Sequence, residues 1–193
     1  MTSTDRDALR RQLTWAPGVV FQPTALTKAD IHALTDALSP AQVMGLTMWA
    51  EARARYEPGK GWVANPIDAL VDVGNVIDNR VKDPRWHQLG HKGVCLQRGQ
   101  FSCWDRHGGP ENLHALLICA QEMLAGLTPT PHLQACLDVA DAFIAGRHLD
   151  LLAQATHYYA PASMVPPDRV PAWVAGAVLT VERYGHRFYA HVK

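Results

Sequence analysis

Residues 39–52 read SPAQVMGLTMWAEA, and this stretch decides how the rest of the chain is organised. Ser39 followed by Pro40 is typical of a helix start, because the hydroxyl can cap the helix and proline at the first helical position has no N–H to satisfy. The run from Met44 to Ala52 is apolar on every side, so this helix is expected to be buried or to line a cleft. Residues 56–61 (YEPGKG) predict its end, with Ala54 still on the inner face.

Three further helices are predicted downstream. The first begins at Asn65-Pro66 and is stopped by Asp83-Pro84, and the others run from about 110 to 124 and from about 132 to 144. The residues expected to face inward are Leu113, Leu116, Leu117, Ala120 and Leu124 in one of these, and Leu133, Cys136, Leu137, Ala140 and Ile144 in the other. Residues 85–109, which separate the helix that stops at Asp83-Pro84 from the helix that begins near residue 110, are expected to form a loop.

The last forty residues change period. Residues 156–160 (THYYA) predict a short strand, and β-branched and aromatic residues on both sides of Tyr184-Gly185 favour a hairpin, although residues 171–184 also fit a helical stripe. The predicted fold class is therefore α+β, a mainly helical body with a small C-terminal antiparallel sheet. Residues 1–38 are interpreted as an N-terminal extension, and residues 39–193 as one domain.

The bulk composition excludes several classes of partner. Lys plus Arg and Asp plus Glu both number 18, so there is no basic excess to bind nucleic acid or to draw the chain to an anionic membrane. No apolar stretch is long enough to insert into a bilayer. The first fifteen residues lack the apolar core of a secretion signal, which predicts synthesis in the cytoplasm, where cysteines are expected to stay reduced.

Glu51 is the candidate catalytic residue, because it lies within the apolar helix. Burial disfavours the charged form of a carboxyl group, which suits a general acid for glycosidic cleavage. The alternative is a structural glutamate paired with Arg53, Arg55 or Arg80.

Six motifs occur in a defined order along the chain. They are MWAEARA (48–54), VGNVIDNRV (73–81), GQFSCW (99–104), ATHYYAP (155–161), PAW (171–173) and GHRFY (185–189). In this order they resemble the catalytic domain of the spore-cortex-lytic (SleB-type) cell-wall hydrolases, over about residues 43–190. The resemblance implies a lysozyme-like helical body with Glu51 as the catalytic acid. The residues that it implies for the glycan-binding groove are Gln100, Phe101, Tyr158, Tyr159, Trp173, His186, Phe188 and Tyr189.

The resemblance also implies a reaction on peptidoglycan. A lytic transglycosylase would use Glu51 alone to cleave the bond between N-acetylmuramic acid and N-acetylglucosamine, with no metal or other cofactor. A hydrolytic muramidase remains the alternative if Asp72 or Asp105 activates water, and Glu57 is either an assisting carboxylate or a solvated loop charge. The compact layout is similar to that of a phage endolysin, which predicts a monomer that reaches the wall through a phage lysis system.

Two rival functions use different residues. The residues His87, His91, Cys95, Cys103 and His107 could hold zinc in an amidase that cuts the peptide from the sugar, although their spacing matches no compact zinc motif. A non-catalytic glycan-binding module would use the groove and would not need the carboxyl group of Glu51.

Overall fold

The computed structural model describes residues 28–52, 54–57, 61–104, 110–166 and 169–193. In these residues the α-helices are α1 (Lys28–Ala37), α2 (Pro40–Ala52), α3 (Ile67–Lys82), α4 (Gly90–Leu96), α5 (Pro110–Leu124) and α6 (Pro131–Ile144). The strands are β1 (Ala54–Glu57), β2 (Gly61–Ala64), β3 (His157–Tyr159), β4 (Val178–Arg183) and β5 (His186–Ala190). The fold is α+β, as the sequence predicted.

Helix α2 is the centre of the helical body. It packs against α3, α4, α5 and α6, and each residue from 43 to 50 is buried. Its start is a capping box, in which the Ser39 hydroxyl accepts a bond from the Gln42 N–H at 3.2 Å and the Gln42 side chain accepts from the Ser39 N–H at 2.8 Å. Burial on all sides explains why this helix has no polar face.

The predicted end of α2 was wrong. The helix stops at Ala52, whose carbonyl accepts a 2.8 Å bond from the buried Asn65 side chain. The chain then enters the antiparallel pair β1 and β2, in which Ala54 pairs with Ala64 and Glu57 with Gly61. The sequence analysis missed this hairpin because it extended the helical pattern through Ala54.

Two glycines set the distance between helices. A Cβ atom on Gly45 of α2 would lie 2.8 Å from Leu137 Cδ2 in α6. A Cβ atom on Gly74 of α3 would lie 2.5 Å from the Phe143 ring. Both distances are shorter than van der Waals contact, so helix α6 can pack this closely only against glycine.

Helices α3, α5 and α6 confirm three predicted helices, but their faces needed correction. Leu124 and Ile144 end their helices 44% and 39% exposed, and Phe143 is the buried residue at the end of α6. The predicted loop 85–109 contains the two-turn helix α4, which buries Val94 and Cys95, and short 3₁₀ turns. The many glycines in this region masked the helix.

The C-terminal hairpin was predicted correctly, and the helical alternative for residues 171–184 was wrong. Strands β4 and β5 are joined by Tyr184 and Gly185, both with positive φ, which is the geometry that matches the twist of a two-residue hairpin. Strand β3 pairs with β5, giving the antiparallel order β3-β5-β4. A bidentate ion pair from Arg183 to the buried Asp72 fastens β4 to α3.

Helix α1 packs against α5, and Leu38 after it is part of the main core. The division between an extension ending at residue 38 and a catalytic domain stays a prediction. None of the helices in the described part of the chain has the length and apolar content needed to cross a bilayer.

Candidate active site

Glu51 lies in the last turn of α2, where the helix leaves the core. Its side chain is partly exposed, although the eight residues before it are all buried. The expectation that this helix is buried is therefore confirmed for residues 43–50. The helix core fixes the backbone at Glu51, and the bond from Asn65 to Ala52 fixes the residue that follows.

The 3₁₀ turn Ser102–Trp104 supplies two donors to Glu51. The backbone N–H of Cys103 donates to Glu51 Oε1 at 2.7 Å, and the Ser102 hydroxyl donates to the same atom at 3.3 Å. The next residue, Trp104, anchors this turn to α2 because its indole N–H donates to the Thr47 hydroxyl at 2.9 Å. Thr47 in turn donates to the Val43 carbonyl within the helix.

Strand β3 supplies the third donor. The Tyr158 hydroxyl donates to Glu51 Oε2 at 2.9 Å. Burial raises the pKa of Tyr158 well above its usual range, and the negative charge of Glu51 and the hydrogen bond to it raise it further. The phenol therefore stays protonated and remains a donor at neutral pH.

His186 packs against the Tyr158 ring from β5, with the ring centroids 5.4 Å apart. Its Nδ1 lies 3.1 Å from the Tyr184 carbonyl, which can only accept, so Nδ1 carries the proton. Burial lowers the pKa of His186, although the Tyr184 carbonyl and the charges of Glu51 and Asp72 partly oppose this effect. A neutral imidazole with Nε2 as an acceptor therefore lies beside the phenol.

These bonds define what the Glu51 carboxyl group can do. A carboxylate has about four acceptor positions. Among the described residues, Cys103 and Ser102 take two positions on Oε1, and Tyr158 takes one on Oε2. A hydrogen bond between the Cys103 thiol and this carboxyl group is one of the causes, after burial and the charge of Glu51, that raise the pKa of the thiol. Donors from two separate segments therefore hold the carboxyl group in a single orientation, as a group that transfers protons requires.

Strand alternation divides the predicted groove residues between two faces. Tyr158 lies opposite Phe188, and together with His186 they occupy the face of the sheet that carries the contact to Glu51. Tyr159 and Tyr189 point to the other face, where they are buried and pack against the half-buried Trp173. The structure therefore does not bring Tyr159, Trp173 and Tyr189 together with Glu51, contrary to the single groove that we expected.

Phe101 is also displaced from its predicted role. Its side chain is 1% exposed, and its ring lies under the Arg80 guanidinium at 4.8 Å, so neither face is open to a sugar. Gln100, beside it, is half-buried, and its carbonyl accepts a bond from Arg80 at 3.4 Å. Gln100 remains a candidate for substrate binding through its side chain.

The candidates for a second carboxylate fare differently. Asp72 is buried and both of its oxygens bind Arg183, so it is held in an ion pair. Burial raises the pKa of Asp72, and the hydrogen bond and charge of Arg183 oppose this. Asp105 lies outside the described residues, as does the side chain of Glu57. The alternative pairing of Glu51 with Arg80 is not seen, and the Arg53 and Arg55 side chains are outside the described part.

The described residues of the rival zinc site do not form a set of metal ligands. His87 contacts the Pro84 carbonyl, and His91 contacts Asp78 at 3.2 Å. Cys95 and Cys103 are buried thiols, and burial raises the pKa of both, that of Cys95 to about 12. His107 lies outside the described residues. Where the structure describes the chain, no three His, Cys, Asp or Glu side chains come together in a way that would hold a metal.

Comparison with known protein families bears on the C-terminal two thirds of the molecule. The profile described as Cell Wall Hydrolase matches residues 64–190, which is more than half of the 193 residues. The chain belongs to the cell wall hydrolase family. No match was found among curated proteins or among solved structures. This cell wall hydrolase is therefore an enzyme that acts on peptidoglycan.

The family match begins at Ala64, thirteen residues after Glu51. It contains the segments that supply Ser102, Cys103 and Tyr158, but not helix α2. The role of Glu51 in this cell wall hydrolase therefore depends on the hydrogen bonds that these segments make to it.

Sequence reasoning missed Ser102 and Cys103 as partners of Glu51. Both lie within the quoted motif GQFSCW, but a backbone N–H leaves no signature in the sequence. Tyr158 was identified as a groove residue, and the structure places it directly on the acid. Arg80 was considered only as an ion-pair partner, although it lies within the quoted motif VGNVIDNRV.

Proposed function

We propose that this enzyme is a lytic transglycosylase that cleaves the bond between N-acetylmuramic acid and N-acetylglucosamine, with Glu51 as its single catalytic acid and base. The observation that carries the proposal is the set of three donors on Glu51, from Cys103, Ser102 and Tyr158, which come from two separate segments and hold both carboxyl oxygens. A carboxyl group held in this way can give up a proton and take it back without changing its orientation.

The reaction would proceed in two proton transfers. Glu51 first gives its proton to the bridging oxygen, the C1–O bond of N-acetylmuramic acid breaks, and N-acetylglucosamine leaves with a free 4-hydroxyl. The Glu51 carboxylate then takes the proton from the 6-hydroxyl of the same muramic acid, whose oxygen bonds to C1. The product is a 1,6-anhydro end, and Glu51 is again protonated for the next cycle.

The three donors stabilise the Glu51 carboxylate between the two proton transfers. Between the two transfers Glu51 carries a negative charge next to a positively charged sugar, and hydrogen bonds to an ionised acceptor are stronger than those to a neutral one. The Tyr158 phenol cannot relieve this charge by ionising, because burial raises its pKa. It therefore acts as a fixed donor, which is the preorganised form of charge stabilisation.

A single carboxylate suffices because the attacking group belongs to the substrate. An internal hydroxyl has a high effective concentration at C1, so no second carboxylate is required to activate water. Asp72, the described carboxylate that was a candidate for this role, is held by Arg183. We propose that Gln100 and His186 contact the hydroxyl or acetamide groups of the glycan from the rim of the Glu51 site.

We propose that the enzyme works as a monomer, because one chain supplies every donor to Glu51 described above. Release to the wall through a phage lysis system is a separate proposal. Lysis of a bacterial culture that makes the enzyme, only when a membrane-hole protein is induced, would support it, and lysis without induction would contradict it.

Mass spectrometry of purified peptidoglycan digested with the enzyme tests the main proposal. We expect new muramic acid ends in the 1,6-anhydro form, one water lighter than reducing ends and inert to borohydride. Reducing muramic acid ends would mean that water attacks and that the enzyme is a muramidase. Reducing N-acetylglucosamine ends, or free stem peptides, would overturn the assigned bond.

A further inference from the structure

Arg80 is a buried cation that forms no direct ion pair with a carboxylate in the described part of the chain, although the charge of Glu51 acts on it through space. Its side chain lies in α3, and the residue is 4% exposed. Burial lowers the pKa of Arg80 to about 10, so it remains charged at neutral pH. Removing such a charge from water is costly unless fixed dipoles replace the solvent. The burial of the Arg80 charge therefore needs an explanation.

The fixed dipoles are two backbone carbonyls from different segments. Arg80 Nε donates to the Thr156 carbonyl at 2.6 Å, and Nη1 donates to the Gln100 carbonyl at 3.4 Å. The guanidinium also lies 4.8 Å from the centre of the Phe101 ring and 5.8 Å from that of Trp86, which adds cation–π attraction.

Each of these carbonyls lies just before a partner of the catalytic carboxyl group. Gln100 is two residues before Ser102 and three before Cys103, which both donate to Glu51 Oε1. Thr156 is two residues before Tyr158, which donates to Oε2. The Arg80 guanidinium therefore bonds to both segments that donate to Glu51. One is the turn that contains Ser102 and Cys103, and the other is the start of strand β3.

The preceding residue reinforces one side of this brace. Asn79 donates to the Ala155 carbonyl at 3.1 Å and to Asp150 at 3.2 Å. Consecutive residues of α3 thus hold the consecutive carbonyls of residues 155 and 156, at the entry to β3. Arg80 also bonds to the Gln100 carbonyl, so within the described residues its guanidinium links the two segments that donate to Glu51.

We infer that Arg80 is a positioning residue, which sets the orientation of the Glu51 carboxyl group by bracing the Gln100 and Thr156 carbonyls with one guanidinium. The inference rests on the proposed catalytic role of Glu51. A lysine at this position keeps the charge but presents a single ammonium group, which cannot reproduce the planar fork that bridges two carbonyls. Position 80 therefore requires the geometry of arginine as well as its charge.

The test compares Arg80→Lys with the matched control Arg85→Lys. Arg85 lies over the same Trp86 ring at 4.3 Å and also donates to a backbone carbonyl, that of Val192 at 2.5 Å. Among the described residues it makes no hydrogen bond to the segments that hold Glu51, and its other hydrogen bonds go to Asp83. The two variants thus make the same chemical change at neighbouring sites.

We expect Arg80→Lys to lower kcat on soluble glycan strands by about tenfold to a hundredfold, since small misplacements of a catalytic group have effects of this size. KM should change by less than about threefold, because Arg80 does not touch the substrate. Arg85→Lys should keep both constants. Equal losses in both variants, or a loss confined to KM in Arg80→Lys, would overturn the inference.

A spectroscopic readout separates this inference from the proposed function. The amide proton of Cys103 reports its bond to Glu51 in an NMR spectrum without substrate, and it should move upfield in Arg80→Lys but not in Arg85→Lys. An unmoved Cys103 amide would overturn the positioning role even if the enzyme is a transglycosylase. A fully active Glu51→Gln variant would refute the proposed function. If Arg80→Lys still shifted the Cys103 amide and lost activity, the positioning of this turn by Arg80 would stand.

If Arg80→Lys does not fold, the wild-type protein still decides. A braced guanidinium should show slow exchange of the Arg80 Nε–H with solvent, compared with the exposed Arg85. Equal exchange rates for the two Nε–H groups would overturn the brace.

Discussion

The Tyr158→Phe substitution isolates one of the three hydrogen bonds to Glu51. It removes the hydroxyl that donates to Oε2 at 2.9 Å and leaves the ring, which packs against His186 and Phe188, in place. The donors to Oε1 are unaffected, because Ser102 and Cys103 belong to a different segment. The variant therefore changes the stabilisation of the carboxylate without removing the acid.

The size of the effect follows from the kind of bond lost. A hydrogen bond to a charged group contributes about 1.5–3 kcal/mol, and about 1.4 kcal/mol corresponds to a factor of ten in rate. We therefore expect kcat to fall by about 10- to 150-fold, with KM nearly unchanged because the hydroxyl binds Glu51 and not the glycan. Steady-state release of soluble fragments from peptidoglycan, with the melting temperature measured in parallel, provides the assay.

Tyr184→Phe is the matched control. Tyr184 lies on the hairpin turn, and its hydroxyl makes a long, exposed hydrogen bond to Asp68 of α3. The control variant should retain wild-type kcat. If Tyr158→Phe is folded and its kcat stays within about threefold of wild type, the bond to Oε2 does not contribute to catalysis and the reasoning fails.

Three further predictions test the fold, the pH dependence and the absence of a metal requirement. Gly74→Ala places a Cβ atom 2.5 Å from the Phe143 ring and should lower the free energy of unfolding in urea by about 1–3 kcal/mol, whereas unchanged stability would show that α3 and α6 are not in close contact. Burial, with the charges of Arg80 and Arg85, lowers the pKa of His157 from 6.5 to about 4, so the unfolded chain binds more protons between these values. The free energy of unfolding should therefore fall as pH drops from 6.5 to 4, by about 2 kcal/mol after allowance for solvent screening. His157→Gln should lose this part of the dependence of unfolding free energy on pH. An identical pH dependence in the variant and the wild type would refute the assignment to His157. Lytic activity should survive dialysis against a strong chelator, since the described residues assemble no ligand set, and a loss of activity that zinc restores would contradict the mechanism.

The sequence predicted those features that depend on local pattern. The all-round apolar character of residues 44–52 required a buried helix, and Tyr184-Gly185 between β-rich segments required a hairpin. Both depend on neighbouring residues in the chain, so no knowledge of tertiary contacts was needed.

The errors arose where distant residues decide the structure. Helix α2 ends at Ala52 because Asn65 binds its last carbonyl from beyond the hairpin, and no pattern within the helix indicates this. Tyr158 and Tyr159 are adjacent in a short strand, so their side chains point to opposite faces of the sheet. The pairing of Tyr158 with Phe188 shows that Tyr158 is the residue on the same face as Glu51.

The sequence could single out Glu51 as a candidate acid but could not predict its surroundings. Glu51 was a candidate because a carboxyl group in an apolar helix is unusual, and its catalytic role stays a prediction. Its partners include a backbone N–H, and the brace at Arg80 ends on two backbone carbonyls, and neither kind of group varies with sequence. Phe101 was misassigned because an aromatic ring in a loop reads the same whether it stacks on a sugar or under a guanidinium.

The central claim is that Glu51 transfers the proton, and Glu51→Gln tests it most directly. The amide keeps the shape of the side chain but has no proton to give, and Glu182→Gln, on the exposed face of β4, is the matched control. Muropeptides released from purified peptidoglycan should be counted by mass spectrometry for both variants at equal melting temperature. We predict that Glu51→Gln releases 1,6-anhydro ends at least about a hundredfold more slowly than wild type, while Glu182→Gln matches wild type. Release of these ends by a folded Glu51→Gln variant at close to the wild-type rate would contradict the account.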